Sequence, residues 1–320
     1  FADGRRVMAQ SDKMNRLYVA ESMYSITGTL ADHRIRMQSR DILKLAFAIT
    51  QRFGRTGFIV GGPTELFEAA GKIDQKLLGA IVSDLNRHSG RSLVVAGRRQ
   101  PAAVHALVYA INKELGNIGV TVQYREMTDA AVSSNADLLK LVSKMNSSAV
   151  STLAIIGGNP VYNAPAQLDF STALAKVGTT VHLSEYVDET SAKCQWHLPQ
   201  THYLESWGDV RAIDGTVSVI QPMIEPLFGG KSSVEFLGQC LSGLENKGHE
   251  AVRQTWQAFL PVLDFEKQWR RVLHDGFLKK SAVPVVTPGI DGRTLWPAVA
   301  AHKFEAGGME IVFYTGNLFD

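Results

Sequence analysis

Residues 152–160 have the sequence Thr-Leu-Ala-Ile-Ile-Gly-Gly-Asn-Pro, and they are the clearest indication of the fold class. Thr152 to Ile156 is a short, β-branched apolar run, and the glycine pair after it is typical of a turn at the end of a strand. The apolar residues of Leu168 to Val177 predict a helix, and Thr180 to Leu183 is a second apolar run. A strand, a helix and a strand in this order are typical of a right-handed crossover in a parallel sheet. The sequence therefore predicts an α/β fold.

The same pattern occurs earlier in the chain. Ser92 to Ala96 is an apolar run, Pro101 begins a helix that reaches about Leu115, and Val120 to Tyr124 is the next run. Strands that are apolar almost throughout are typical of a parallel sheet with helices on both faces. We therefore expect two Rossmann-like crossover units.

Three segments are expected along the chain. They are the end of one α/β lobe with connecting helices (1–90), a Rossmann-like α/β lobe (91–230), and a helical segment with a linker and a terminal strand (231–320). In the first, helices are expected over Asp41–Thr50 and Ile73–Arg87, with a loop over Gly54–Gly62. In the third, Ser281–Pro297 is the linker, rich in proline and glycine, and Glu310–Tyr314 is the strand. Further helices are expected over Val234–Leu244, Ala251–Phe259 and Asp264–His274.

Composition and charge narrow the classes of function. The 320 residues carry 33 Lys and Arg against 31 Asp and Glu, a net charge of +2, which argues against nucleic acid as the main partner. The 2 cysteines can neither build a disulfide scaffold nor hold an iron–sulfur cluster by themselves. No apolar run approaches the ~20 residues of a membrane-spanning helix. The chain begins at Phe1, and we expect it to be a piece of a longer protein.

Several common catalytic motifs do not occur in the sequence. Gly229-Gly230-Lys231-Ser232 ends like a phosphate-binding P-loop, but Glu225 stands where the first glycine of that motif should be. No Gly-x-Gly-x-x-Gly follows a strand, and neither His-Glu-x-x-His nor Gly-x-Ser-x-Gly is present. Nucleotide hydrolysis, simple dinucleotide binding, zincin proteolysis and α/β-hydrolase chemistry therefore lack their strongest signals.

Two loops that follow predicted strands carry candidate binding residues. These residues are Gly157, Gly158 and Asn159 after one strand, and Asp188, Glu189 and Thr190 after the next. Ligands of open α/β sheets bind beyond the carboxyl ends of the strands, where glycines let a ligand approach the backbone. The same residue types also form an ordinary turn before Pro160 and an ordinary capped helix N-terminus. Both interpretations stay open.

A metal site is a third possibility. Cys194, His197 and His202 place one thiol and two imidazoles within nine residues, and Asp188 or Glu205 could add a carboxylate for zinc or copper. Pro199 prevents one continuous helix from presenting all three side chains. A packed segment without metal is therefore the favoured interpretation.

Taken in order, these segments resemble the molybdopterin oxidoreductases. The matching segments are Ala31–Arg34 with Asp41, Gly157–Pro165, Asp188–Ala192, Leu198–Pro199 and Tyr203–Glu205. Within that family the chain is most similar to the molybdopterin-oxidoreductase-like half of the iron–sulfur (B) subunit of bacterial alternative complex III. That resemblance covers most of the chain and includes Pro101–Ala106 and the whole stretch Val181–Gly230.

The chain also departs from active members of the family. Where those members usually carry Pro-Gly-Thr before the aspartate, in a loop that lies against a pterin nucleotide, this chain has Gln38-Ser39-Arg40 before Asp41. Where they usually carry Ala-Asp before Leu-Pro, it has Cys194-Gln195. Both differences imply that the pterin-binding surface is eroded.

The resemblance implies a non-catalytic part of an electron-transfer complex. Gly157, Gly158, Asn159, Asp188, Glu189 and Thr190 would be vestigial positions of a pterin site, with no catalytic residue and no metal ligand in this chain. No cofactor is expected here, and iron–sulfur clusters are expected in a part of the subunit that follows Asp320. The expected partners are other subunits of a membrane-bound quinol-oxidising complex at the periplasmic side of the bacterial inner membrane, without a membrane span in this chain and without nucleic acid.

One alternative from the same family stays open. An active molybdenum bis-pterin oxidoreductase, acting on a small oxyanion or sulfur substrate, would use the same six residues to contact its pterin nucleotides.

Five tryptophans are expected to anchor either the core or an interface, and the core is favoured for each. They are Trp196, Trp207, Trp256, Trp269 and Trp296.

Overall fold

The computed structural model of the chain describes residues 1–53, 62–126, 134–243, 245, 247–300 and 308–312. Helices and strands alternate along these ranges. In chain order they are β1 (Tyr18–Glu21), α1 (Ile26–Thr29), β2 (His33–Arg36), α2 (Ile42–Phe53), α3 (Thr64–Gly71), α4 (Gln75–Arg87), α5 (Ala102–Glu114), β3 (Tyr124–Arg125), α6 (Asn135–Asn146), β4 (Thr152–Ile156), α7 (Pro160–Asn163), α8 (Phe170–Leu174), β5 (Thr179–Ser184), β6 (Trp196–Pro199), β7 (Gly208–Arg211), β8 (Val217–Ile220), α9 (Ser233–Ser242), α10 (Gly248–Trp256), α11 (Phe265–Asp275), β9 (Val285–Val286) and α12 (Gly292–Ala300).

The chain divides into two compact units. One comprises Phe1–Tyr124 and Val285–Asp320, and the other comprises Arg125–Pro284. The three segments expected from the sequence divide the chain at other points, and that division stays a prediction.

The core of the first unit is built around α2. Apolar residues on most sides of this helix are buried, among them Leu43, Phe47 and Ile49. Helices α3, α4, α5 and α12 complete the same core. The helices predicted over 41–50 and 73–87 are confirmed as α2 and α4. The second begins at Gln75 because Asp74 caps it, and the Asp74 carboxylate accepts hydrogen bonds from the N–H groups of Lys76 and Leu77 at 2.9 and 3.2 Å.

A three-stranded parallel sheet lies in the second unit, in the order β4-β5-β6. Thr152 pairs with Thr179 at one end of the β4–β5 ladder, and Ile156 pairs with Leu183 at the other. Helices α6 and α8 bury an apolar cluster that packs against Leu153 and Ile155 of β4. The predicted α/β class with parallel strands is therefore confirmed. Helix α8 is shorter than the helix predicted over 168–177.

The rest of the second unit is a helical layer against an antiparallel strand pair. Strands β7 and β8 pair with each other, and α10 and α11 bury Trp256 and Trp269 against Val217 and Val219 of β8. The three helices predicted between residues 234 and 274 are confirmed as α9, α10 and α11, with ends that move by one to three residues.

The crossover predicted over 92–124 is wrong in its strand pairing. Ser92–Ala96 is assigned to no strand among the described residues, and β3 pairs with β9 instead. At Val94 the place of a strand partner is taken by a side chain: Asn112 accepts the Val94 N–H at 3.1 Å and donates to the Val94 carbonyl at 2.7 Å. The expected covering of both faces also fails in this run, because the side chain of Val95 is 73% exposed.

The expected linker over 281–297 is partly a helix. The Asp291 carboxylate accepts the Arg293 N–H at 2.9 Å near the start of α12, and Leu295 and Val299 are buried in the first core. This burial keeps the helix intact around Pro297, which removes one backbone hydrogen bond.

The predicted terminal strand over 310–314 is not found where the structure describes it. Residues 310–312 form no strand, and residues 313 and 314 lie outside the described residues. The predicted loop over 54–62 also lies outside them, apart from Gly62.

Candidate functional site

Two loops meet at the carboxyl end of the parallel sheet. We call them together the rim, which comprises residues 157–160 after β4 and residues 188–191 after β5. The Gly157 N–H donates to the carbonyl of Leu183 at 2.8 Å, and this bond fixes where the first loop leaves the sheet. Gly157 and Gly158 have φ angles of +61° and +66°, a backbone conformation that favours glycine. Side-chain-free backbone is therefore present at the rim, as the sequence predicted.

Asn159 connects the two loops through its side-chain amide. Its Nδ2 donates to Oε2 of Glu189 at 2.6 Å. Its Oδ1 accepts from both the N–H and the hydroxyl of Thr190, at 3.2 and 2.7 Å. The Thr190 hydroxyl, which is fully buried, in turn accepts the N–H of Val161 at 3.0 Å. The side-chain amide of Asn159, the hydroxyl of Thr190 and one oxygen of Glu189 are thus bonded within the chain.

The six predicted residues do come together at one edge of the sheet. Asp188 is held within the second loop, where its Oδ1 accepts the N–H of Ser191 at 2.8 Å. Both open interpretations of the sequence describe part of this arrangement, because the loops form turns and caps and also lie where ligands of such sheets bind. Binding of a cofactor by these six residues stays a prediction.

The residue beneath the rim, His182, is not among the candidates that the sequence motifs indicated. It is fully buried in β5 and contacts the carbonyl of Gly158 and the hydroxyl of Ser191. A signal was available: Thr180, His182 and Ser184 alternate along an otherwise apolar run and so point to one side of the strand.

The segment before α2 is closed by a carboxylate from far along the chain. Both oxygens of Glu310 accept backbone hydrogen bonds, from Ser39 N–H at 2.6 Å and from Arg40 N–H at 3.0 Å. The Gln38 side chain donates to the carbonyl of Gly308 at 3.0 Å, so three hydrogen bonds in all hold residues 308–310 there. A carboxylate suits this place because free N–H groups at a helix start attract negative charge.

The zinc or copper alternative has no support in the structure. Within the described ranges, no group of three or more His, Cys, Asp or Glu side chains could hold a metal ion. His197 Nε2 lies 3.2 Å from the hydroxyl of Ser184, whereas His202 Nδ1 accepts the Leu204 N–H at 3.3 Å. Burial raises the pKa of the Cys194 thiol, with the hydroxyl of Thr180 opposing the shift, so this thiol is less ready to ionise as a metal ligand.

The tryptophans separate into core and surface. Trp256 and Trp269 are buried, as expected for core anchors, and Trp207 and Trp296 are half-buried against the same kind of cluster. Trp196 is 61% exposed at the start of β6, so the core expectation is wrong for it.

No helix within the described residues has both the length and the apolar composition to cross a membrane.

Comparison with known proteins gives similarities in sequence and in structure. No family model matches the chain. Over 206 residues the chain is 25% identical to the menaquinone reductase, molybdopterin-binding-like subunit, of Nitratidesulfovibrio vulgaris (strain Hildenborough). The match covers 61% of this chain and 29% of that protein. The chain thus spans less than a third of the length of that relative. Among solved structures, acetylene hydratase from Pelobacter acetylenicus superposes with a TM-score of 0.44 and 12% identity, over 69% of this chain and 42% of that one.

The sequence similarity supports the resemblance to molybdopterin oxidoreductases that the motifs indicated.

Proposed function

We propose that this chain is the molybdopterin-oxidoreductase-like part of a subunit of a membrane-associated, quinone-linked electron-transfer complex, in which it is a scaffold and docking surface and holds no pterin. The observation that carries the proposal is the similarity to the molybdopterin-binding-like subunit of a menaquinone reductase. We place the chain more narrowly in alternative complex III, at the periplasmic side of the membrane, on the segments quoted above. Iron–sulfur clusters are then carried by another part of the subunit.

The geometry of the rim supports the absence of pterin. A bound pterin nucleotide would need donors and acceptors that are free to face it. Asn159 accepts two hydrogen bonds and donates one within the chain, and its partners Glu189 and Thr190 are engaged by the same amide. At the start of α2 the N–H groups of Ser39 and Arg40 already bind Glu310. In each of these two places, taken separately, the polar groups are bonded within the chain, which supports a protein that holds no pterin.

Exposed apolar side chains support the docking role. Met223 and Phe228 are 77% and 83% exposed on the segment that follows β8, and Ile224 on the same segment is half exposed. Contiguous apolar residues on a surface mark sites of protein association. We assign this surface, residues 223–228, to contact with other subunits of the complex.

The test is purification of the tagged full-length protein from its native membranes in mild detergent. The expected result is co-purification with integral membrane subunits and quinol-dependent reduction of an electron acceptor by the purified material. Phe228→Asp should lower the recovery of those subunits, whereas Met8→Asp, at an equally exposed position far from residues 223–228 in the sequence, should not. Recovery of the protein alone, or equal recovery with both variants, would contradict the docking role.

A further inference from the structure

His182 lies between the two loops of the rim. Its Nε2 is 3.1 Å from the carbonyl oxygen of Gly158, and its Nδ1 is 2.8 Å from the hydroxyl oxygen of Ser191. A carbonyl oxygen only accepts hydrogen bonds, so Nε2 must carry a proton and donate it. One buried ring therefore ties the loop after β4 to the loop after β5.

The groups around the ring are fixed in the same way. Asp188 Oδ1 lies 3.4 Å from Nδ1 and also accepts the Ser191 N–H. The Ser184 hydroxyl lies 3.3 Å from that of Ser191 and donates to the Tyr186 carbonyl at 2.7 Å. His197, on β6, stands with its ring centre 6.3 Å from that of His182 and contacts Ser184. Each neighbour is bonded to β5 or to the loop after it, so the ring has a single defined position.

We propose that His182 is the positioning residue of the rim, and that its Nε2–H form sets the spacing at which Asn159 can bond across to Thr190. Asn159 can bond to Thr190 only if the two loops are no farther apart than one side-chain amide can span. Apart from His182, no described side chain bonds to both the carbonyl of Gly158 and Ser191. A ligand that used Asn159 would have to break these bonds first. The proposal rests on the rim's own geometry and does not depend on the proposed function.

The first test reads the ring in the unaltered protein, in its full-length form. Nitrogen-15 NMR of labelled histidine distinguishes a protonated Nε2 from an unprotonated one by its chemical shift and its coupling to hydrogen. The expected signal for His182 has a protonated Nε2 whose hydrogen shows coupling across the bond to Gly158. An Nδ1–H tautomer with a bare Nε2 would overturn the proposal.

The second test measures amide hydrogen exchange at Val161 and Thr190, whose N–H groups make bonds across the rim. His182→Leu removes both contacts of the ring and should raise exchange at these two amides about tenfold or more. His182→Gln, whose amide nitrogen reaches the place of Nε2, should restore part of the protection. His105→Leu, at an exposed position on α5, is the matched control and should change neither amide.

The N–H of Val219, bonded to the carbonyl of Gly276 in the helical layer, reports whether the second unit is still folded. Unchanged exchange at Val161 and Thr190 in folded His182→Leu would overturn the proposal, and so would equal exchange in the Gln and Leu variants. If the Leu variant does not fold, the NMR measurement and the Gln variant decide.

Discussion

Residues 92–124 and residues 152–184 carry the same sequence pattern, yet they form different structures. Both have an apolar run, a turn, a helix and a second run. In the later stretch, β4 and β5 pair in parallel over five residues, and their carboxyl ends carry the rim. In the earlier stretch, the first run is extended and half-buried but bonds to the Asn112 side chain, and the second run is reduced to β3, which pairs with β9.

The difference shows what a local pattern decides and what it does not. Alternating or continuous apolar residues favour an extended backbone with one side in the core, and Val94 and Ala96 do pack against the first core. Strand pairing is a long-range property, because it depends on which hydrogen-bonding groups from elsewhere in the chain lie beside the strand edge. In the earlier stretch, the backbone of Val94 bonds to the buried side-chain amide of Asn112 on α5. In the sequence pattern Asn112 is only a polar residue that interrupts the apolar face of the helix.

The largest expected difference between the two stretches is in the cost of shortening a leucine. Leu183→Ala, at a fully buried position near the end of β5, should lower the free energy of unfolding by about 3 kcal/mol through lost burial and a cavity. Leu93→Ala, at a half-exposed position of the unpaired run, should cost less than about 1 kcal/mol. Urea unfolding followed by circular dichroism measures both, and equal losses would contradict the assigned roles of the two runs.

The next effect tests the amide that stands in for a strand. Asn112→Ala removes the partners of the Val94 N–H and carbonyl and of Asn117, which donates to Oδ1 of Asn112 at 3.0 Å. We expect a loss of about 2 kcal/mol in the same unfolding measurement, since the N–H and carbonyl of half-buried Val94 would lose this partner and Asn117 would keep only its bond to Ser92. Asn86→Ala, at an exposed position of α4, is the control and should be nearly neutral. A neutral Asn112→Ala would show that the run has other partners.

A smaller effect compares the glycines that end elements of the two stretches. Gly158 follows β4 and Gly116 follows α5, both have a φ of +66°, and at neither would an added Cβ meet an atom within 4 Å. Gly158→Ala and Gly116→Ala should therefore each cost about 1 kcal/mol from backbone strain alone. Thermal unfolding checks the two side by side. A much larger loss for Gly158→Ala would mean that the rim needs more than a turn at this position.

The last comparison requires no substitution and concerns the reactivity of the two cysteine thiols. Cys194, packed against the helices beside the parallel sheet, has its pKa raised by burial, so at a given pH less of it is thiolate than for an ordinary thiol. Iodoacetamide should therefore modify it about tenfold more slowly than the exposed Cys240 at neutral pH, and the gap should narrow as the pH rises. Mass spectrometry of the peptides measures both rates, and equal rates would contradict the packing of Cys194.

Much of the fold could be predicted from the sequence because its signals are local. The helices α2, α4, α5 and α9–α11 follow from apolar periodicity and from caps, and the pairing of β4 with β5 follows from a short crossover with few other solutions. What could not be predicted depends on residues distant in the chain. The Glu310 carboxylate accepts the Ser39 N–H although the two residues are 271 positions apart, and no local pattern connects them.

The sequence indicated that the six residues lie close together, but not how their polar atoms are bonded. Glycines, an asparagine and acidic residues after two strands identify the edge of the sheet, and all six residues do lie there. The distance between the two loops determines whether these polar atoms face outward or bond to each other. His182, which is buried under both loops, contacts each of them. A histidine inside an apolar run, as at position 182, is the sequence feature that indicates such a bridge.

The molybdenum and pterin content of the full-length protein, isolated within its native complex, shows whether this chain holds a pterin cofactor. Asn159 and the N–H groups before α2 are bonded to the chain's own side chains, so we expect molybdenum and pterin far below one per subunit. Metal analysis by mass spectrometry and fluorescence of oxidised pterin give both numbers from one sample. One molybdenum and two pterins per subunit would show instead that the chain is part of an active pterin enzyme.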